Sequence, residues 1–304
     1  MSTAHPHPID GDLVRRLVAG RFPRWAGLPV GRLPSGGTVN AVYRLGNELL
    51  VRLPLTEGGV ADLLREREWL PLLAPRLPVA VPEVLGAGEP AEGYPWPWSV
   101  YRWLPGRVPE EGALDDPVRL AADLAGFVAA MREATPPGTP PRAHRGGPLA
   151  TLDAATRAAV DALRRIPGED VDCDAALAVW EDALRAPGPA GPPVWLHADL
   201  MPGNLLVSGG RLAAVIDFGC AGTGDPAYDL FPAWNLLPPA ARGVFRDALG
   251  VDDAAWRRGR GRTLSQALIA LPHYRTANPS MARNARHVLR AVLTEDRAGC
   301  SQVA

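Results

Sequence analysis

Two short stretches hold the residues best suited to chemistry: His197-Ala198-Asp199-Leu200-Met201-Pro202-Gly203-Asn204, and Ile216-Asp217-Phe218-Gly219 further along. Together they supply two carboxylates and one carboxamide. A hydroxyl attacking the γ-phosphate of ATP asks a protein mainly for positioning and for compensation of negative charge. Asp199 is the residue to accept or orient the hydroxyl proton. Asn204 and Asp217 offer a neutral and an anionic oxygen, the hard ligands that Mg2+ prefers.

These residues need rigid elements behind them. The apolar run Val194 to Leu196 leads into the first stretch and Leu205 to Val207 leads out of it, which places the polar residues on a loop between short strands. A further strand, Leu212 to Ile216, delivers Asp217 to a turn at Gly219.

Upstream, Ala41 to Leu45 and Glu48 to Leu53 read as strands joined at Gly46-Asn47, a good hairpin signal. The turn before them, Ser35-Gly36-Gly37, lacks bulky side chains, so its N–H groups can approach phosphate oxygens; an ordinary turn is the alternative reading of the same residues. Gly58 to Leu73 follows as a helix, with Val60, Leu63, Leu64, Leu70 and Leu73 at helical spacing. Glu66 lies one turn from both Leu63 and Leu70 and therefore points to the core, where an unpaired carboxylate is costly. An ion pair with Arg52 resolves that cost; Glu68 is the competing partner.

The rest of the chain is read more coarsely. Asp10 to Ala19 is a short helix capped by Asp10 or Asp12. Val79 to Gly86 and Trp98 to Leu104 are extended, and Trp96, Trp98, Tyr101 and Trp103 read as packing residues. From Leu114 the character turns to alanine-rich helices over Pro117 to Met131, Leu152 to Ile166 and Asp174 to Leu184. Asp225-Pro226 reads as an N-cap followed by a first helical position, which keeps Asp225 out of the catalytic set. Thr263 to Leu271 and a final amphipathic helix marked by Met281, Ala285, Val288, Leu289 and Val292 follow, with His273 and Tyr274 in the turn between them.

Composition excludes several classes of function. At 304 residues the chain is long enough for two lobes, and 47% hydrophobic with 21% charged residues describes a core-bearing globular protein. A net charge of −1 argues against nucleic acid as a partner. All 32 basic residues are arginine, so Schiff-base and lysine-nucleophile chemistry are excluded. Cys173, Cys220 and Cys300 show no paired spacing, which suits a reducing cytoplasm. The six histidines form no metal-ligand cluster. Neither a signal pattern at Met1 to Asp10 nor a long apolar run points to a membrane, and nothing indicates an obligatory protein partner.

His-x-Asp-x-x-x-x-Asn followed by Ile-Asp-Phe-Gly resembles the aminoglycoside phosphotransferase family of small-molecule kinases, relatives of choline kinase and of protein kinases. The resemblance runs from about Arg32 to the C-terminus and includes Gly224-Asp225-Pro226-Ala227-Tyr228-Asp229-Leu230. It implies an α+β, two-lobe protein-kinase-like fold: a small antiparallel-sheet lobe over residues 1–104 that binds ATP, and a larger, mostly helical lobe over 105–304 that carries catalysis and substrate. It places the phosphate-holding cation at Arg52, where the commoner pattern has a lysine, and backbone contacts to adenine near Arg102 to Leu104. ATP and Mg2+ are the implied cofactors, and a small hydroxylated molecule the implied substrate.

Two rival readings are a nucleotide-binding pseudokinase and a protein kinase. Intact Asp199, Asn204 and Asp217 speak against the first, and the lack of an Ala-Pro-Glu segment after Gly219 against the second. For the acceptor, family analogy offers an aminoglycoside-type antibiotic, hence resistance. A polycation requires unpaired carboxylates, and Asp225, Asp229, Asp247, Asp252, Asp253, Glu295 and Asp296 are interleaved with Arg242, Arg246, Arg257 and Arg258. A neutral hydroxylated metabolite or a macrolide is the alternative.

Overall fold

The computed structural model of the chain describes residues 9–33 and 39–300. The expected phosphate turn at Ser35, Gly36 and Gly37 lies outside the described residues. The chain forms two compact units, Met1–Gly106 with Ala213–Gly219, and Arg107–Leu212 with Cys220–Ala304.

In the first unit, helix α1 (Gly11–Arg21) starts at Asp10, whose carboxylate accepts from the Leu13 amide at 2.8 Å. Its buried stripe is Leu13, Val14, Leu17 and Val18, the spacing of one helical face. Strands β1 (Val30–Arg32), β2 (Asn40–Leu45) and β3 (Leu49–Pro54) precede helix α2 (Glu57–Leu73), and β4 (Val84–Gly88) and β5 (Trp98–Arg102) follow it. The five strands form one antiparallel sheet in the order β1-β2-β3-β5-β4. Strand β2 alternates, burying Ala41, Tyr43 and Leu45. Central strand β3 is buried at almost every position, so its one charged residue, Arg52, must find partners inside.

Helix α2 packs on β3 and β5, with its N-cap Thr56 accepting from the Gly59 amide. It buries Leu63, Glu66, Trp69, Leu70 and Leu73. Leu64, expected on that face, is exposed, because at about 100° per residue it turns away from the stripe formed by Leu63, Glu66, Leu70 and Leu73. The extended stretch expected from Val79 begins as a strand only at Val84. Pro78 and Pro82 lack the N–H that a ladder needs, and a single bridge joins Ala80 to Ala214.

The second unit is mostly helical. It contains α3 (Pro117–Glu133), α4 (Asp153–Arg164), α5 (Cys173–Arg185), α6 (Pro232–Asn235), α7 (Pro239–Ala248), α8 (Asp253–Tyr274) and α9 (Pro279–Cys300). Strand β6 (Val194–Leu196) pairs antiparallel with the later strand at Gly222–Gly224. Between them β7 (Leu205–Ser208) turns at Gly209-Gly210 into β8 (Arg211–Val215), whose residues from Ala213 onward are counted in the first unit; the Gly222–Gly224 strand is β9. Among the described residues no helix is long and apolar enough to cross a membrane.

Helix α8 is longer than the expected Thr263 to Leu271. Asp252 caps it through the Ala255 amide, and its arginine-rich first half hides the apolar period that marks a helix in sequence. His273 and Tyr274 consequently fall in its last turn and not in the turn between helices. Helix α8 lies close to α5 because Gly261 offers no side chain: a methyl group there would overlap Ala183.

Gly261→Ala therefore sets two effects against each other. Helix propensity favours alanine by about 1 kcal/mol, whereas overpacking costs typically ~1–3 kcal/mol. The clash wins, and a lower urea midpoint at unchanged m-value is expected. A raised midpoint would mean that α5 and α8 separate at no cost.

Candidate active site

In the first unit the polar centre is Arg52, 8% exposed in the sheet's central strand. Its Nη1 donates to Glu66 Oε2 at 2.8 Å and its Nη2 to Asp217 Oδ1 at 2.8 Å. Asn40, with its amide oxygen turned to the guanidinium, accepts from Nη2 and Nε at 3.0 Å each. Burial alone would lower the Arg52 pKa. The carboxylates of Glu66 and Asp217 outweigh that and hold the pKa above its ordinary value. Of the five guanidinium N–H groups, one on Nη1 makes no hydrogen bond among the described residues.

Glu66 is 1% exposed and fully used. Besides Arg52 it accepts from the Tyr101 hydroxyl at 2.8 Å and, through Oε1, from the Phe218 amide at 2.8 Å. The helix-facing argument thus selects the residue that meets Arg52, while Glu68 faces solvent. Burial, with Glu66 adding to it, pushes the Tyr101 hydroxyl pKa up, so Tyr101 remains a donor. Tyr101, read from the sequence as packing alone, also carries a polar role that only the spatial neighbour Glu66 reveals.

Asp217 has φ of 65°, a left-handed conformation that costs a non-glycine residue of order 1–3 kcal/mol. The bonds that Arg52 donates to its side chain and that the next amide, of Phe218, donates to Glu66 hold it there. Its second carboxylate oxygen makes no hydrogen bond among the described residues. Gly219 passes so close to α2 that a methyl group would overlap Asp62.

At the end of β5, the Arg102 amide donates to the Glu83 carbonyl at 3.0 Å and the Arg102 side chain pairs with Glu83 in solvent. Its amide is therefore committed, whereas the backbone of Leu104 makes no hydrogen bond among the described residues.

In the second unit, Asp199 sits on the loop after β6. His197 is fully buried against Phe127, and its Nδ1 accepts from the Asp199 amide at 3.2 Å. Asn204 donates from Nδ2 to the Asp199 carbonyl at 2.8 Å and to Asp199 Oδ2 at 3.1 Å, which leaves its own amide oxygen unengaged. Arg145, on the loop after α3, donates from Nη1 to Asp199 Oδ1. Nothing in the local sequence around Arg145 marks it.

The loop is held by Asp229, which the sequence placed in the Gly-Asp-Pro-x-x-Asp-Leu segment and among the candidate acids without giving it a role of its own. Asp229, with no exposed surface, accepts from the His197 amide at 2.7 Å and from the Ala198 amide at 2.8 Å. Ala198 has φ of 64°, again left-handed. Burial pushes the Asp229 carboxyl pKa up, against the pull of His197 and the two amides. Asp225 is a cap as expected, accepting from the Ala227 amide at 2.9 Å, and it also takes Arg258 at 2.8 Å.

No three His, Cys, Asp or Glu side chains converge into a metal cage among the described residues. A magnesium ion here would rely on phosphate oxygens and water for most of its shell, its usual habit, with single oxygens from the protein. Taken singly, Asp217 in the first unit and Asn204 in the second each keep an oxygen without a hydrogen bond among the described residues, which is the hard donor type such an ion takes.

The class that comparison with known proteins defines is a small-molecule kinase with a hydroxyl acceptor. Residues 30–262 match the phosphotransferase enzyme family, APH, and the chain belongs to that family. Solved structures of similar fold include the GDP and kanamycin complex of APH(2")-IIia, at 21% identity and TM-score 0.72, covering 93% of this chain and 98% of that one. The ADP-bound aminoglycoside phosphotransferase APH(2'')-Ib is similar at 15% identity and TM-score 0.61, covering 93% and 98%. So is the apoenzyme of macrolide 2'-phosphotransferase MphH from Brachybacterium faecium, at 23% identity and TM-score 0.60, covering 93% and 98%. At these identities the likeness carries the fold. No curated protein matches the chain by sequence.

Asp229→Asn tests the loop clamp. A carboxamide offers one acceptor and one donor to two N–H groups, leaving an amide unsatisfied in the interior, at a cost of about 1–3 kcal/mol. A fall of that size in chemical-denaturation stability is expected, together with loss of turnover. Full turnover in a stable Asp229→Asn variant would show that Asp229 does not set the Asp199 loop.

Proposed function

We propose that the chain transfers the γ-phosphoryl group of ATP to a hydroxyl of a small molecule, with Asp199 as the group that takes the hydroxyl proton. The observation that carries this reading is the restraint on Asp199: its backbone is fixed through Asn204 and His197, and its carboxylate is oriented by Asn204 and Arg145. A carboxylate kept only as a turn former would need none of these partners.

In this reading the acceptor oxygen forms a bond to the γ-phosphorus as the bond to the β-phosphate oxygen breaks. The acceptor's proton passes to Asp199 and ADP leaves with the electron pair. Arg52 directs its remaining N–H to phosphate oxygen and fixes Asp217 through Nη2. Glu66 holds Arg52. Leu104 offers its backbone to the adenine edge, and Ser35, Gly36 and Gly37 offer amides to the phosphates. Asp217 and Asn204 each supply an oxygen for Mg2+, whose chemistry when bound is to offset charge on phosphate oxygens. The cytoplasm suits this reaction, since it supplies ATP and keeps thiols such as Cys173 and Cys220 reduced.

An aminoglycoside acceptor, and with it antibiotic resistance, meets candidate carboxylates that are mostly engaged, with Asp247 exposed and without a side-chain hydrogen bond among the described residues. Asp225 pairs with Arg258, Asp229 binds two amides, Asp252 caps α8 and Asp253 pairs with Arg246. Glu295 is shared by Trp234, Trp256 and Arg242. A hydroxylated acceptor that is not a polycation fits better.

Asp199→Asn is expected to leave the ATP dissociation constant within about twofold while kcat falls by about a hundredfold or more. Calorimetric titration with ATP and an ADP-release assay measure the two; equal loss of binding and turnover would make Asp199 structural.

Arg52→Ala should weaken ATP binding and slow turnover, and Glu66→Gln should do part of the same damage. A double-mutant cycle on ATP affinity should deviate from additivity by about 0.5 kcal/mol or more. Additive effects would remove Glu66 from the action of Arg52.

A further inference from the structure

The Asp199 loop is gripped on both sides of the carboxylate. Ahead of it, Asp229 takes the amides of His197 and Ala198. Behind it stands Met201, whose amide donates to the Asp199 carbonyl at 2.7 Å and whose own carbonyl accepts from the Asn204 amide at 2.9 Å. Asn204 Nδ2 reaches the same Asp199 carbonyl at 2.8 Å. Met201 thus lies between Asp199 and Asn204 and is joined to each through the main chain.

The Met201 residue is half-buried, and its sulfur is the meeting point of two carboxamides. Asn235, in α6, donates to Sδ from Nδ2 at 3.3 Å, and Gln266, in α8, donates from Nε2 at 3.8 Å. Asn235 has no exposed surface, and its Oδ1 accepts from Asn284 Nδ2 of α9 at 2.6 Å. That bond settles which way the Asn235 amide faces: its oxygen is committed to Asn284, so its NH2 group is turned to Met201.

Apolar packing alone would not call for these donors. A thioether is a weak acceptor, and the buried NH2 group of Asn235 finds no other acceptor among the described residues. The unbranched methionine stem turns about three bonds, so without the two amides it would leave the loop room to shift. With them, the sulfur is fixed from α6 and α8, and α6 is braced from α9.

We propose that Met201 is a positioning residue: its sulfur, held by Asn235 and Gln266 and braced through Asn235 by Asn284, sets where Asp199 and Asn204 stand. Met201 acts through the main chain of the loop and needs no contact with the reacting atoms. A displacement of about 1 Å at a reacting group can cost on the order of a hundredfold in rate, so a small slip of this latch is read in turnover before it is read in the fold. This inference rests on the phosphotransferase reading of Asp199 and adds a second hold on its loop.

The test follows ADP release from ATP and Mg2+, with water standing in for the acceptor, beside hydrogen exchange at the amides of residues 201 and 204 read by NMR. Met201→Leu conserves volume and stem and removes the acceptor; Met201→Gln returns an oxygen acceptor at similar reach. Met201→Leu should lower kcat about tenfold or more, and Met201→Gln should restore part of it. The ATP dissociation constant measured without Mg2+ should not move. Asn284→Ala should lower kcat in the protein as it stands and add nothing in the Met201→Leu background, because its effect passes through the sulfur. Met201→Leu and Asn284→Ala should each speed exchange at the two amides. If Met201→Leu does not fold, the fall in kcat and the faster exchange are read from Asn284→Ala.

An unchanged kcat in Met201→Leu, however far its denaturation midpoint falls, would make the contact structural and overturn the latch. So would additive effects of Met201→Leu and Asn284→Ala, a Met201→Gln variant no faster than Met201→Leu, or exchange at the two amides indifferent to both substitutions. These outcomes leave the phosphotransferase reading standing. If the protein as it stands releases no ADP with water or with any hydroxylated acceptor, that reading falls, and the exchange measurement alone decides whether the sulfur holds the loop.

Discussion

The carboxylate of Glu66 ties together three parts of the first unit. From α2 it takes a guanidinium proton from the central strand, a hydroxyl proton from β5 and an amide proton from the turn that follows β8. At 1% exposure a charge with fewer partners would be expensive, and removing one partner of a buried pair typically costs about 3–5 kcal/mol. The position of Arg52, and through it that of Asp217, follows from satisfying this one group.

The second unit repeats the device with different residues. Asp229 is buried without exposed surface, and it spends both oxygens on the amides of His197 and Ala198. In each unit the clamp sits next to a non-glycine residue in the left-handed region, Asp217 at 65° and Ala198 at 64°. Such conformations persist only where the surroundings fix them more firmly than the strain relaxes them. A buried carboxylate bonded to backbone amides supplies that fixation. It fixes the backbone at Asp217 and ahead of Asp199.

A chain with arginine as its only strong cation has a particular electrostatic habit. Arg52 binds Glu66, Asp217 and Asn40 at once, and Arg258 binds Asp225 through two nitrogens. A lysine would make point contacts and could lose its charge on burial; an arginine fork fixes geometry and stays charged. Every buried arginine therefore needs a permanent partner. Arg262 differs from that pattern: it lies over the Tyr228 ring, and no carboxylate among the described residues hydrogen-bonds it.

Much of this was legible in the sequence wherever the signal is local. The Asp199 loop follows from apolar runs on either side, the Asp10 and Asp225 caps from their position before helices, and the facing of Glu66 from one turn of α2. Helical and strand periods report which way a side chain points, and pointing inward obliges a charge to find a partner. The amino-acid types also excluded lysine chemistry outright. Tertiary structure alone decided which distant residue answers each demand: Tyr101 for Glu66, Asp229 for the Ala198 turn, Arg145 for Asp199, Ala183 for the glycine of α8. These contacts join residues dozens of positions apart, chosen by how layers pack, and no period or spacing along the chain encodes them. The arginine-rich half of α8 escaped for a related reason: its polar residues break the apolar period that marks a helix, and only packing against α5 and α9 makes the reason for its length visible.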